Sequence, residues 1–240
     1  MRVISLVPSA TETLLALGVT PIACTRFCEQ PDIAHVGGTK DPAVAQISAL
    51  EPDLVVVNDE ENRLEDVEAL RRLGVALHEM SPRSVAEVGP AVAALADAVG
   101  AAVPEPFGPA SWRAWLDEHR DRHGDEPRRA FVLVWRRPWM TLAGDTYGSS
   151  LLELLGCRNA FTRRGVRYPA IELEEAARLD PQLVLLPTEP YPFKERHVAE
   201  VNEGIPGAEV TIVDGQDMFW WGIRTPGAVE RLAAALPLRG

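Results

Sequence analysis

Residues 53–80, DLVVVNDEENRLEDVEALRRLGVALHEM, decide the fold. Residues 53–57 form a short apolar run of the kind buried on both faces of a parallel sheet. The polar loop 58–62 follows, then a helix over 63–73 closed by Gly74, then a second strand over 75–80. Toward the N-terminus the same alternation continues. Residues 3–7 read as a buried strand ending at Pro8, and the helix behind it carries Leu14, Leu15 and Leu17 before Gly18. Ser9-x-x-Glu12 fits a capping box at its start. A strand near 21–25 leads into Arg26-Phe27-Cys28, Gly37-Gly38-Thr39 makes a tight turn, and 41–50 is a short helix before Glu51-Pro52. Strands alternating with helices predict an α/β lobe with a parallel sheet and helices on both faces over 1–81.

From 82 the alternation stops. An Ala/Val-rich helical stretch, 82–100, is followed by prolines at 104, 106 and 109, a second helical stretch over 111–123, and a charged connector over 120–127. Residues 82–127 are therefore expected to form a helical joint. A second α/β lobe occupies 128–240: strands at 130–135 and 139–143, a helix over 147–155 ended by Gly156, a helix over 171–179, a strand at 183–186, a helix over 193–202 and a last strand at 209–213.

The totals narrow the function. With 240 residues, 46% of them hydrophobic, the chain can build sizeable cores. A net charge of −11 without a basic run argues against nucleic acid and against anionic membrane surfaces. No run of about 20 apolar residues is present to insert in a membrane. The short run 3–7 is not a signal segment. As written, the chain is expected in the cytoplasm, and in the periplasm or at the cell surface if its start has been trimmed. The cysteines Cys24, Cys28 and Cys157 are too few for a disulfide framework, and Cys24-x-x-x-Cys28 lacks a second pair to complete a metal site.

In open parallel sheets ligands bind beyond the carboxyl ends of the strands. One such end carries the stretch 214–225, DGQDMFWWGIRT, with Phe219, Trp220 and Trp221 in succession and Arg224 behind them. Three adjacent large aromatics in a loop cannot all face one core, so the stretch is expected to cover an apolar partner, or else to plug the base of a domain. Other strand ends add Ser9, Phe27 and Asn58 in the first lobe and Trp135, Arg136, Trp139, Tyr147 and Tyr191 in the second. This concentration of aromatics favours a large, flat, partly apolar ligand. Arg136 and Arg224 would meet its amides or carboxylates. His35 reads as an ordinary loop histidine, with an axial metal ligand as the alternative, and His119-x-x-x-His123 reads as a solvated helix face. The motifs G-x-S-x-G, G-x-G-x-x-G, H-E-x-x-H and the P-loop do not occur. The basic segment 163–168 reads either as a lip over the site or as a surface loop.

Four segments carry a resemblance: RVISLVPSATETLLALG at 2–18, PDLVVV with ENRLEDVEALRRLGV at 52–75, DTYGSSLLELLGCRNAF at 145–161, and IELEEAARLDPQLVLL at 171–186. In this order they resemble the helical-backbone periplasmic binding proteins, which serve ABC importers for cobalamin, haem and ferric siderophores, and most of all the cobalamin-binding branch. The resemblance implies two α/β lobes joined by one long helix, a ligand cleft between them and no catalysis. It implies a corrinoid or other metal chelate as ligand rather than as an intrinsic cofactor. It further implies an ABC permease as partner, docked through a glutamate on each lobe; Glu174 matches one in position, and Glu65 lies near the other. The alternatives are an intracellular enzyme or chaperone of cofactor handling on the same fold, with Asp59, Glu60, Asp145 and Asp217 as acid/base candidates, or an interaction module whose own tryptophans close the site.

Overall fold

The computed structural model describes residues 1–120 and 126–236. The chain divides into two units: Met1–Pro82, Glu87–Trp112 and Trp221–Arg224 make the first, and the other described residues make the second.

In the first unit, β1 (Val3–Ser5) and β4 (Leu54–Val57) are the central strands of a five-stranded sheet. With β2 (Ala23–Cys24), β3 (Ala34–His35) and β5 (Leu77–Glu79) the order is β3-β2-β1-β4-β5, and every pair is parallel. Both central strands are buried along their whole length, as their unbroken apolar sequence requires. Ile4, Leu6, Val36, Ile47, Val55, Val57, Val67 and Leu70 close a core between the sheet and the helices α2 (Val44–Ala49) and α3 (Leu64–Arg72). The strand order reverses between β1 and β4, so the loops after those two strands flank the switch point. Helix α1 (Pro8–Ala16) begins at Pro8 with Val7 as its N-cap, two residues earlier than a Ser9 cap would place it. The proline's fixed φ suits the first helical position. The expected capping box does not form, because Glu12 turns to Arg224 instead. The two-residue strand β3 was not expected from the sequence.

Residues 82–120 hold two helices, α4 (Val85–Ala98) and α5 (Pro109–Arg120). Within the first unit, Trp112 stacks on Phe107 at 5.1 Å between ring centroids and lies flat against Gly89 of α4, where any side chain would collide with the indole. His123 and most of the expected charged connector lie outside the described residues.

In the second unit the long strand β6 (Arg128–Trp135) is flanked by β10 (Leu183–Pro187) and then β11 (Glu209–Val213), all parallel. On its other side the sheet departs from the expected all-parallel form. β7 (Trp139–Thr141) is antiparallel to β6, and β9 (Ala170–Ile171) antiparallel to β7. The three residues Arg136-Arg137-Pro138 are too short for a parallel crossover, so the chain must fold back as a hairpin. β8 (Cys157–Asn159) pairs in parallel with the lower half of β6. Neither β8 nor β9 was expected, each being too short to show an apolar period. Helices α6 (Tyr147–Leu154), α7 (Leu173–Arg178), α8 (Glu195–Gly204), α9 (Gly215–Phe219) and α10 (Thr225–Ala235) complete the described chain. The loop expected at 214–219 is the one-turn helix α9, because Asp214 accepts a hydrogen bond from the Asp217 N–H at 3.0 Å and caps it. No helix among the described residues is long and apolar enough to cross a membrane.

Candidate functional site

At the carboxyl edge of the first sheet, Phe27 sits in a one-turn 3-10 helix (Arg26–Cys28) directly after β2 and is 50% exposed. Arg26 covers its ring from 4.8 Å and is itself tied to Asp41 at 3.1 Å. Ser9, the second residue of α1, is buried. Asn58, expected at the ligand face, is buried and fully engaged within the unit. Its Oδ1 accepts from the N–H groups of Glu60 and Glu61, and its Nδ2 donates to the Met80 carbonyl at 2.9 Å. Asn62 closes the same loop, accepting from the Asn58 N–H and donating to the Thr39 carbonyl. Asn58 therefore shapes the loop after β4 rather than facing outward, because an unpaired amide there would carry a desolvation cost. Glu61 in that loop is pushed up by burial, with nearby Lys40 opposing the shift.

Trp221 and Arg224 group with the first unit. Trp221 is only 7% exposed and so turns inward. Arg224 makes a two-pronged pair with Glu12, at 2.8 and 2.9 Å. Between them Gly222, at φ 104°, lies so close to the Thr13 hydroxyl that no side chain fits. The end of the aromatic stretch is thus fastened onto α1.

In the second unit a row of side chains follows the carboxyl ends of β6, β10 and β11. Trp135, at the end of β6, is 43% exposed, and its ring meets Tyr191 edge-on at 5.6 Å. Beyond β10, Glu189 Oε1 accepts a 2.6 Å hydrogen bond from the Trp220 indole N–H. Trp220 is half-buried, as is Phe219, which lies against Gly148 of α6. Trp139 stacks on Phe193 with rings 5° from parallel, and Trp139 and Tyr191 pack on the core of this unit. Arg136 covers Trp139 from 5.5 Å and pairs with Glu200 through two bonds of 2.7 and 2.9 Å. Tyr147, expected as a wall, is buried at the first position of α6 and bonds Thr225 of α10 through its hydroxyl at 3.1 Å, its phenol pushed up by burial. Its position in the helix turns it into the interior.

Of the residues nominated from sequence, Phe27 and Trp135 are exposed at strand ends, and Phe219 and Trp220 are half-buried at the end of α9. Ser9, Asn58, Tyr147 and Trp221 are interior, and Arg136 and Arg224 are paired with carboxylates. Tyr168, in the basic segment 163–168 left open above, is 38% exposed and was not nominated. Glu189, which orients Trp220, was also missed; an isolated glutamate in a proline-rich loop carries no sequence signal.

Two of the four carboxylates considered for acid/base chemistry, Asp145 and Asp217, are held in ion pairs. Asp217 is buried and receives two bonds from Arg231, at 2.6 and 2.7 Å, and Asp145 pairs with Arg83 at 3.3 Å. His35 lies 3.1 Å from the Gln30 carbonyl through Nε2. Among the described residues no cluster of three or more His, Cys, Asp or Glu side chains is arranged to hold a metal. Glu65 and Glu174 are each the second residue of their helix, α3 and α7, and both are exposed.

Comparison with known proteins agrees with this architecture. The Vitamin B12-binding protein of Vibrio cholerae serotype O1 is 27% identical over 192 residues, covering 76% of this chain and 69% of its own. The crystal structure of the periplasmic vitamin B12 binding protein BtuF of Vibrio cholerae superposes with a TM-score of 0.80 at 24% identity, covering 98% of this chain and 95% of that one. The periplasmic heme binding protein HutB of the same organism gives the same TM-score at 17% identity, covering 98% of each chain. The sequence profile of the periplasmic binding protein family matches residues 3–203. This chain belongs to the periplasmic binding protein family.

Proposed function

We propose that this protein captures a cobalamin-like metal chelate and hands it, chemically unchanged, to an ABC importer. The observation that carries the reading is the set of large aromatics at or beyond strand ends, Phe27 in one unit and Trp135 and the half-buried Trp220 in the other, on the fold of a binding-protein family. Large aromatic side chains, each able to bury about 150–250 Å², suit a flat macrocycle. The Vibrio cholerae relative named for vitamin B12 supports a corrinoid over haem. So does the charge arrangement: Arg136 and Arg224 are engaged by Glu200 and Glu12, which fits a ligand fringed with neutral amides better than one bearing carboxylates. Tying Asp145 and Asp217 into ion pairs supports binding without catalysis.

Glu65 and Glu174 are the permease contacts in this reading. Delivery to an importer takes place on the outer side of the membrane; a cytoplasmic location goes with the alternative, cofactor handling inside the cell. The test is quenching of intrinsic tryptophan fluorescence by cobalamin, cobinamide, haem and one ferric siderophore. Saturable quenching by the two corrinoids at micromolar or lower concentration is expected. Quenching by haem alone would move the cargo to the haem class, and quenching by none would remove the binding reading.

A further inference from the structure

Helix α9 carries Phe219 and Trp220 at its end, yet a single helical turn has too few hydrogen bonds to set its own direction. The turn after β10 supplies what the helix lacks. The Thr188 N–H donates to the Val213 carbonyl at 3.0 Å and so extends the pairing of β10 with β11. The Thr188 hydroxyl accepts from the N–H of Gly215, the first residue of α9, at 2.9 Å. Glu189 packs so closely on Gly215 that a β-carbon there would collide with both its backbone and its side chain. From that position Glu189 Oε1 takes the Trp220 indole N–H at 2.6 Å, and the Trp220 main-chain N–H closes on the Gln216 carbonyl at 2.8 Å. Two consecutive residues, Thr188 and Glu189, thus hold the start of α9 and the aromatic side chain at its end.

We propose that Glu189 is a positioning residue for cargo: it sets the affinity by acting through Trp220. The proposal rests on the cargo reading above. A hydrogen bond to a carboxylate is shorter and stronger than one between neutral groups, and a 2.6 Å bond fixes the plane of the ring. The indole N–H is the only polar group of this side chain and is a donor only. With that donor committed to Glu189, Trp220 offers cargo an apolar ring surface and no free hydrogen-bond donor. The position therefore selects the flat, hydrocarbon part of a macrocycle. A ring fixed beforehand also loses little conformational freedom when cargo lands, so the bond favours binding without adding a contact.

The experiment is a double-mutant cycle on the full-length protein. It is read by calorimetric titration of cobalamin and by proton NMR of the indole N–H groups. The Trp220 resonance is the one that Trp220→Ala removes. Glu189→Leu is expected to weaken cobalamin binding about fivefold or more in the wild-type background and less than about twofold in the Trp220→Ala background, because nothing is then left to position. In the protein without cargo, the Trp220 indole resonance should move upfield in Glu189→Leu as its bond is lost. Glu189→Gln, whose amide oxygen accepts the same N–H, should recover most of the affinity and keep the resonance closer to its wild-type position. Should Glu189→Leu fail to fold, Glu189→Ala takes its place in the cycle. Equal losses in the two backgrounds would overturn the proposal, because Glu189 would then act independently of Trp220. An indole resonance unmoved by Glu189→Leu would do the same. A wild type that binds no cobalamin would overturn the proposal together with the cargo reading, whereas a wild type that binds and a Glu189→Leu variant of unchanged affinity would overturn the proposal alone.

Discussion

At Asn159, a single buried amide holds three chain segments together. Its Nδ2 donates to the Leu142 carbonyl at 3.1 Å and to the Ser149 hydroxyl at 3.0 Å, and its Oδ1 accepts from the Phe161 N–H at 2.9 Å. Asn159→Leu should destabilise the protein by about 1–3 kcal/mol for each polar group left unpaired, read as a lower urea midpoint with unchanged slope. His197 makes a different demand. It is buried, and its Nδ1 accepts from the Lys194 N–H at 2.9 Å, which requires a neutral ring. Burial, then Arg196 and Arg136, keep its imidazole below the usual histidine range. An unfolded chain therefore takes up this proton at a higher pH than the folded one. Stability is complete above about pH 6.5 and falls as the pH drops below it. Urea unfolding from pH 7 to 5 should show this decline, and His197→Asn should flatten it; an unchanged slope in the variant would exclude His197 as the source. The same scale decides how legible the site was. Residue type alone drew attention to Phe27, which is half-exposed after β2, and to Trp220, which is half-buried after α9, but could not foresee that Asn58 and Tyr147 turn inward. That depends on partners distant in sequence, Met80 and Thr225.

Elements were legible in proportion to their length and period. The apolar runs that became β1, β4, β6 and β10 were plain, and so was the helix α3, with acids in its first turn and arginines in its last. The two- and three-residue strands β3, β8 and β9 were not, because no period can show in so few residues. Helix α9 escaped because its cap, Asp214, lay in a stretch read for its aromatics. One close approach is testable at this scale. Gly89→Ala would drive a methyl group into the Trp112 indole, so α4 must shift away from the Phe107–Trp112 stack. A loss of about 1–3 kcal/mol is expected by thermal or urea unfolding. A variant as stable as the wild type would show that the α4 packing is looser than described.

Glu65 and Glu174 are exposed in the first turns of their helices, where each contributes only about 0.3–1 kcal/mol through the helix dipole. Reversing both, Glu65→Lys with Glu174→Lys, should leave cargo affinity within about twofold while abolishing stimulation of a cognate importer's ATPase. Loss of cargo affinity in this variant would place the two glutamates in the wrong role. Cargo contact itself is tested on the aromatics. The most direct measurement is a calorimetric titration of cobalamin into the wild-type protein and into Phe27→Ala and Trp220→Ala, each variant first shown to be folded. The account predicts saturable binding by the wild type with one cobalamin per chain, and a loss of about tenfold or more in each variant, equivalent to about 1.4 kcal/mol. No heat of binding in the wild type, or equal affinity in all three proteins, would contradict it.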